Sequence, residues 1–462
     1  MRRLIGSLVL GAGLAAVSLG AARADTLASA LAHGYEHSGL LDQNRALLRA
    51  ADEDVAQALA TLRPILSWSA QTALSTSSQR RDSASGVVGV DSFDVSSQVS
   101  LTASLLLYDG GQTRYGLDSQ KALVLSTRER LRQIEQQVLQ RVVEAYMEVR
   151  RAAAFVELRQ NNLQLITQEL RAAQDRFEVG EITRTDVSLA EAQLASARSQ
   201  LAADEGQLAQ ARAEFRAAVG RAPGPLGAVP DARIPGSLAE AQAIARREHP
   251  SILEAQHSIS VAEINIAAAE AAKRPTVSLS GTLTVDDEFE DSQQIGITAN
   301  QTLYSGGRIA SQVRQAKARR DAARGALINT SRTIDRNVEN AYALLAVARA
   351  SIEASGREVR AAQVAFDGLR EEARLGARTT LDVLNAEQDL LDARATLASA
   401  QIDETLATYV VLASIGRLTA EQLGLAVQVY DPVAYYNLVR NAPSSTSEQG
   451  KALDRVLDAI GR

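Results

Sequence analysis

The 462-residue sequence contains no cysteine, and aromatic residues account for only 4% of it. The absence of cysteine excludes structural disulfides, thiol catalysis and a lipid-modified N-terminal cysteine. The low aromatic content, with abundant Ala, Leu, Gln, Arg and Glu, is typical of long helices that pack closely through small side chains. As a soluble protein, a chain of this length would ordinarily form two or three domains.

Long apolar runs are almost absent as well. The exception is Leu4 to Gly20, which follows Arg2 and Arg3 and precedes Ala22-Arg23-Ala24. This order predicts a signal peptide over residues 1–24; the alternative is a transmembrane anchor, for which the run is short of the usual ~20 residues. Cleavage there removes three of the 49 basic residues, so that 46 oppose 55 acidic ones and the net charge becomes −9. We do not expect so acidic a chain to bind nucleic acid.

Histidine is scarce, and the residues expected of an active site do not come together. His33 and His37 are four residues apart, but Glu36 between them is at the wrong position for the metalloprotease motif. The Gly-Gly pairs of the chain are not followed by the Gly-Lys-Ser/Thr of a phosphate-binding loop. We therefore expect no enzyme, no metal site and no cofactor.

A short segment occurs twice and marks a tandem internal repeat: Leu107-Tyr108-Asp109-Gly110-Gly111 and Leu303-Tyr304-Ser305-Gly306-Gly307. Other residues match at the same offset of 196 positions, namely Tyr146 with Tyr342, Gly180 with Gly376, Asp186 with Asp382 and Glu191 with Glu387. A register kept over this distance indicates duplication. The residues predicted to form the strand-to-helix turns are Tyr108, Gly110 and Gly111 in the first copy and Tyr304, Gly306 and Gly307 in the second. Glycine suits them because it reaches φ values that other residues resist.

Alternation of apolar and small polar residues predicts four strands, at about 65–78, 94–108, 276–285 and 294–304. The loops between paired strands are predicted at 79–93 and 286–292. In the third strand, for example, Val277, Leu279, Leu283 and Val285 alternate with Ser278, Ser280, Thr282 and Thr284. This pattern is typical of a β-barrel wall with an apolar outer face and a polar inner face. A soluble hairpin with one solvated face is the alternative.

Helical periodicity covers most of the remaining sequence. Residues 26–64 and 237–275 are each predicted to form a short helix and a longer one, with breaks at Gly39 and Pro250. Each Gly-Gly pair then opens a predicted helix of ~100 Å at 1.5 Å per residue, far longer than an ordinary globular helix. These long helices span about 112–177 and 308–374, and the helices returning from them about 186–219 and 382–415. The predicted domains are repeat 1 at 25–230, repeat 2 at 231–430 and a C-terminal tail at 431–462, which is predicted to end in a short helix from about Gln449.

Four strands cannot stand alone in a bilayer. The two edges of an open sheet would expose on the order of ten unpaired backbone groups to lipid, at several kcal/mol each. That penalty exceeds the roughly 5–15 kcal/mol by which proteins are stable. The predicted barrel must therefore close between subunits, with eight strands in a dimer or twelve in a trimer, and the strand pattern does not choose between them.

The signal peptide, the duplication and the Leu-Tyr-x-Gly-Gly turns together resemble the TolC family of outer-membrane efflux and type I secretion channels. The segments 179–183 and 375–379, Val-Gly-Glu-Ile-Thr and Leu-Gly-Ala-Arg-Thr, are also similar to the helix tips of that family. The resemblance covers about residues 26–430. Because it lacks cysteine, the chain is similar to the non-lipidated branch of this family.

The resemblance implies a mainly α fold with a small membrane β part. A homotrimer would share a twelve-stranded barrel in outer-membrane lipid, joined to a long α-helical coiled-coil barrel in the periplasm. Such a channel forms the exit duct of a tripartite efflux pump or a type I secretion system, with a periplasmic adaptor and an inner-membrane transporter of ABC, RND or MFS type as partners. The alternative from another class is a surface-exposed coiled-coil structural or adhesive protein without a pore, which would not need four matched amphipathic strands. The cargo is not specified by the sequence.

The resemblance also implies a gate at the periplasmic end. It assigns Arg378 as a gate-locking arginine with Asp186 as its partner, and Asp382 as the acidic ring of the constriction. Asn385 and Ala373 depart from the family pattern, which has a second aspartate and a tyrosine at these positions, so a single acidic ring and a weaker lock are expected. Three carboxylates around one axis would attract cations and repel anions. The alternative is an ordinary surface ion pair between Arg378 and Asp382.

The helix tips are the implied contacts with the adaptor. The residues concerned are Val179 and Gly180 in the first copy and Leu375 and Gly376 in the second. Their glycines also fit a simple role in ending a helix, and the two roles are compatible.

Overall fold

The computed structural model describes residues 25–83, 86–230 and 232–460. The predicted signal peptide at 1–24 lies outside these residues. The elements in chain order are α1 (Leu27–Glu36), α2 (Gly39–Ala60), β1 (Ile65–Ser83), β2 (Gly86–Tyr108), α3 (Gln112–Glu178), α4 (Arg184–Val219), α5 (Leu238–Glu248), α6 (Pro250–Ala271), β3 (Thr276–Asp286), β4 (Asp291–Asn300), α7 (Arg308–Arg374), α8 (Thr380–Ser414), α9 (Ala434–Val439) and α10 (Glu448–Ile460). Two short helices, a hairpin and two long helices thus occur twice in succession, which confirms the tandem repeat. In the part of the chain that the structure describes, no helix has the length and apolar character needed to cross a membrane.

The four strands form one antiparallel sheet in the order β1-β2-β3-β4. The two hairpins are joined by pairing of β2 with β3, from Gln98 opposite Asp286 to Tyr108 opposite Val277. Among the residues that the structure describes, the outer edges of β1 and β4 have no partner strand. A single subunit therefore provides an open sheet with two free edges.

The two faces of the sheet differ as the alternation predicts. On one face Trp68 lies opposite Leu101, and Leu101 lies opposite Leu283. Although apolar, Trp68 is 73% exposed in the single chain. The other face carries hydroxyl groups, including Ser69 and Ser100, whose Oγ atoms are 2.8 Å apart.

The predicted strand limits need correction. The first hairpin was predicted as strands at 65–78 and 94–108 around a loop at 79–93, but β1 and β2 continue pairing up to Ser83 opposite Gly86. The sequence from 79 to 93 lacks a regular alternation, yet backbone hydrogen bonds between two strands do not require one. The last strand was predicted at 294–304 but spans Asp291–Asn300. Pairing with β3 ends at Thr276, because the preceding Pro275 has no N–H to donate.

The long helices form two antiparallel pairs, α3 with α4 and α7 with α8, and α3 also packs against α8. Their limits agree with the predicted helices to within two residues. Tyr146 and Tyr342, which match between the repeats, bind the segment that connects α4 to α5. The Tyr146 hydroxyl lies 2.8 Å from the carbonyl oxygen of Asp25 and 2.9 Å from that of Gly227, and the Tyr342 hydroxyl donates to the carbonyl of Pro235 at 2.8 Å.

The C-terminal tail packs back onto the first repeat. Tyr435, Val439 and Leu453 form a small apolar cluster with Ala56 of α2. Sequence reasoning predicted a terminal helix, seen here as α10, but did not predict α9. That helix has only six residues, too few for a periodicity to be recognised.

Candidate functional site

The two helical tips end in the same way, although they belong to different repeats. Gly180 follows α3 with φ +79°, and Gly376 follows α7 with φ +78°. In the first tip the N–H of Glu181 donates to the carbonyl of Arg176 at 2.9 Å; in the second, the N–H of Ala377 donates to that of Glu372 at 2.9 Å. These bonds satisfy carbonyl groups that the end of a helix leaves unpaired, and the left-handed backbone requires glycine.

A capping box then starts each returning helix. At α4 the Asp186 carboxylate accepts bonds from the N–H and hydroxyl of Thr183, at 2.9 and 2.7 Å. At α8 Asp382 accepts the equivalent bonds from Thr379, at 3.0 and 2.8 Å. The Thr183 hydroxyl and backbone N–H lower the pKa of Asp186, and the Thr379 backbone N–H and hydroxyl lower the pKa of Asp382. Both carboxylates are therefore charged at neutral pH and held at the helix N-termini.

The residues predicted to form the gate lie at the tips, but they do not all meet within one chain. The Arg378 guanidinium forms its ion pair with Glu372, with 2.9 Å between Nε and Oε2. Its predicted partner Asp186 is instead engaged by Thr183. Asn385 is exposed on α8, and Ala373, where the family pattern has a tyrosine, is buried. The gate assignments therefore stay predictions.

The predicted adaptor contacts form the exposed ends of the molecule. Val179 is 70% exposed and Leu375 is 79% exposed, and Gly180 and Gly376 beside them are exposed too. Each tip therefore exposes one apolar side chain to water, as surfaces that contact other proteins often do.

The turns at the opposite end of the long helices bend as predicted. Gly110 and Gly111 have φ of +69° and +91°, and Gly306 and Gly307 have +60° and +87°. The Asp109 carboxylate accepts bonds from the N–H groups of Gly111 and Thr113, at 2.9 and 2.6 Å, and so supports the first turn. Tyr108 is half exposed and Tyr304 is 89% exposed in the single chain.

Sequence reasoning missed a set of polar bonds that join the two repeats along α3. We call them the inter-repeat ladder: Arg151 to Asp403 at 2.6 Å, Asn162 to Glu387 at 2.7 Å and Glu169 to Arg370 at 3.1 Å. The middle bond is buried, with Glu387 only 5% exposed. The match of Glu387 with Glu191 was visible in the sequence, but nothing in it showed that only one of the two is buried.

A twice-occurring strand-to-helix turn, a sheet with an apolar face and helices of 67 residues define an outer-membrane channel with a long helical tunnel. Comparisons with known proteins agree. The outer membrane efflux protein family matches residues 35–221 and 242–417, once for each repeat. The chain belongs to this family, whose members are channels and not known as enzymes.

Individual relatives extend the match over nearly the whole chain. The outer membrane efflux protein BepC of Brucella suis is 34% identical over 429 residues, which cover 91% of this chain and 92% of BepC. The alkaline protease secretion protein AprF of Pseudomonas aeruginosa is 29% identical, covering 61% of this chain and 62% of AprF. A crystal structure of the channel CusC superposes with a TM-score of 0.74 at 19% identity, covering 85% of this chain and 92% of that one. The protein is thus located in the outer membrane with a periplasmic extension and serves as an exit duct for efflux or secretion, which excludes the pore-less adhesive alternative.

Proposed function

We propose that three copies of the chain form one continuous duct, with a twelve-stranded barrel in the outer membrane and a gate at the periplasmic tips. The observation that carries the trimer is the open four-stranded sheet with free edges on β1 and β4. Unpaired edges in lipid cost several kcal/mol per backbone group, so β1 must pair with β4 of a neighbouring subunit. Eight strands would leave an interior that side chains fill, whereas twelve leave a lumen for cargo.

The tips carry the proposed partner contacts and the proposed gate. Val179 and Leu375 supply apolar ends for a periplasmic adaptor, which in turn connects an inner-membrane transporter of ABC, RND or MFS type. Arg378 is exposed and Asp382 is partly exposed in the single chain, and both are charged. Around the axis of a trimer, three Asp382 carboxylates form a ring that selects cations, and Arg378 binds Asp186 of the adjacent subunit.

The relatives support two candidates for the cargo. BepC, named an efflux protein, matches almost the entire chain, and small toxic compounds are therefore the first candidate. AprF, a protease secretion protein, supports a secreted polypeptide as the second. A strain lacking the gene tests both candidates. Greater susceptibility to drugs would support small compounds as cargo, and loss of a protein from the culture medium would support a secreted polypeptide.

Conductance in planar bilayers tests the gate. Arg378→Ser removes the proposed lock and is expected to raise single-channel conductance several-fold. Arg374→Ser is the matched control, because Arg374 pairs with Glu371 in the last turn of α7 and is expected to leave conductance unchanged. Equal conductance of all three channels would remove Arg378 from the gate.

Ion selectivity tests the proposed constriction. Asp382→Asn removes the charge and keeps an oxygen that can accept the capping bonds from Thr379. The reversal potential in a salt gradient is expected to move toward that of an anion-permeable pore. No change would place Asp382 outside the constriction.

A further inference from the structure

Glu387 is a buried carboxyl group at the contact between the two repeats. It lies in the second turn of α8, about 10 Å from the start of that helix at 1.5 Å per residue, and is 5% exposed. One of its oxygens, Oε1, accepts a bond from Asn162 Nδ2 at 2.7 Å. The other, Oε2, is buried and has no hydrogen-bond partner among the described residues.

The surroundings of Glu387 favour its neutral form. The pKa of Glu387 is raised to about 8, mainly by burial and also by the charge of Glu169 on α3, while the Asn162 bond and the charge of Arg370 on α7 partly oppose the rise. Arg370 is engaged by Glu169 at 3.1 Å. The residues that α4 contributes nearby are apolar: Ala190 and Leu194 pack with Leu384 of α8.

The hydrogen-bond geometry leads to the same conclusion independently. A buried carboxylate with a donor at only one oxygen leaves much of its charge unpaired, and this costs far more than the single unpaired O–H of a buried neutral carboxyl group. Here only Oε1 has a donor. The packed arrangement thus accommodates the protonated group better than the charged one.

We propose that Glu387 and Asn162 form a proton-controlled latch between the repeats. The neutral carboxyl group holds α8 against α3, and its ionisation favours separation of the two helices near the tips, where water can solvate the charge. The latch itself is independent of the proposed gate; only its effect on conductance rests on the gate being at the tips.

The direction of the pH effect follows from proton binding. The packed state binds the proton with a pKa of about 8, and the separated state with the ordinary value of about 4.3. Between these values separation releases a proton, so packing is strongest at acidic pH and weakens as pH rises toward 8. The equilibrium shifts by at most about tenfold per pH unit.

Hydrogen exchange in the full-length protein in detergent, followed by mass spectrometry, tests the latch. Wild type and Glu387→Gln are compared at the same pH between 5 and 8, so that the intrinsic chemistry of exchange cancels. Peptides from 158–172 and 380–395 are expected to exchange equally in the two proteins at pH 5. By pH 8 they are expected to exchange at least about tenfold faster in wild type, because glutamine cannot ionise.

Two further variants make the test decisive. Glu191→Gln changes the exposed residue that matches Glu387 in repeat 1 and is expected to retain the wild-type pH dependence. Glu387→Met, which is neutral and apolar, is expected to lose it, as Glu387→Gln does. The same pH dependence in wild type and both Glu387 variants would overturn the latch.

Conductance of the same proteins separates the latch from the gate. If exchange changes with pH as expected and conductance rises in parallel, the latch acts on a tip gate. If exchange changes and conductance does not, the latch stands without acting on the pore, and the Arg378→Ser measurement decides whether the tips form the gate.

Discussion

Gly110 and Gly306 occupy the same position in the two repeats, yet their surroundings differ. A Cβ atom on Gly110 would lie 2.5 Å from Arg274 Cβ and 3.1 Å from the carbonyl oxygen of Ala271. A Cβ atom on Gly306 would meet nothing within 4 Å. Both have positive φ, so both need glycine for the backbone, but only Gly110 also needs it for space.

We expect Gly110→Ala to destabilise the protein more than Gly306→Ala. Both variants bear the left-handed backbone penalty of roughly 1–2 kcal/mol, and Gly110→Ala adds about 1–3 kcal/mol for overpacking against Arg274. Thermal unfolding followed by helical circular dichroism in detergent measures the difference. Equal midpoints would show that Arg274 moves aside at little cost.

The role of a single residue can be predicted from the sequence when it depends on neighbouring residues in the chain. The Thr-x-x-Asp capping boxes at Thr183 and Thr379 and the glycine turns rest on neighbouring residues, and local motifs of this kind are readable. The burial of Glu387 depends on α3 of the other repeat, more than two hundred residues away in sequence. Its counterpart Glu191, identical in type, is exposed, so no local rule could have distinguished them.

At the scale of elements, the break between α5 and α6 was predictable from Pro250, which begins α6. The sequence did not show that the preceding His249 would be buried. Its Nδ1 accepts the N–H of Ser251 at 3.2 Å and caps α6, so this histidine is neutral in the folded protein. Burial lowers the pKa of His249 to about 4.

This burial predicts a loss of stability in acid. The unfolded chain binds a proton at His249 below pH 6.5, whereas the folded chain binds it only near pH 4, so its contribution is complete above 6.5 and falls as pH drops toward 4. The full change is up to about 3 kcal/mol. His249→Asn keeps a side chain that can cap a helix and is expected to unfold with a shallower dependence between pH 6.5 and 4. His257→Asn controls for loss of an imidazole within α6, and parallel curves for all three proteins would contradict the prediction.

Strand positions were predicted better than strand ends. Alternation locates a strand where one face is apolar, and it located all four. It fails in the outer part of the first hairpin, where β1 and β2 continue pairing without β3. There backbone hydrogen bonds alone define the strands, and these bonds do not require an alternating pattern of side chains.

At the scale of the whole molecule, the free edges and the apolar face of the sheet call for other subunits and for lipid. Ile297 and Thr298 are neighbours on β4 and, by alternation, point to opposite faces. Ile297 lies opposite Leu279 and is 68% exposed, while Thr298 lies opposite Ser278. The two residues therefore form a matched pair for testing which face meets lipid.

We expect Ile297→Lys to impair assembly in the outer membrane and Thr298→Lys to be tolerated. A lysine on the lipid face of a barrel costs about 2–4 kcal/mol near the bilayer centre, and a trimer bears that cost three times. Heat-dependent mobility of the oligomer on gels after outer-membrane extraction measures assembly. The reverse order of effects would show that the apolar face points inward.

The first hairpin is longer than the rest of the sheet. Pairing between β2 and β3 stops at Gln98, which lies opposite Gln71, but β1 and β2 stay paired as far as Ser83 and Gly86. At about 3.4 Å per residue, the twelve residues from Thr72 to Ser83 extend this two-stranded ribbon roughly 40 Å beyond the last residue pair of β2 and β3. In a trimer, three such ribbons would project from the outer end of the barrel and would be accessible from outside the cell. Foreign peptides grafted at their ends would be displayed outside the cell without touching the conduit beneath.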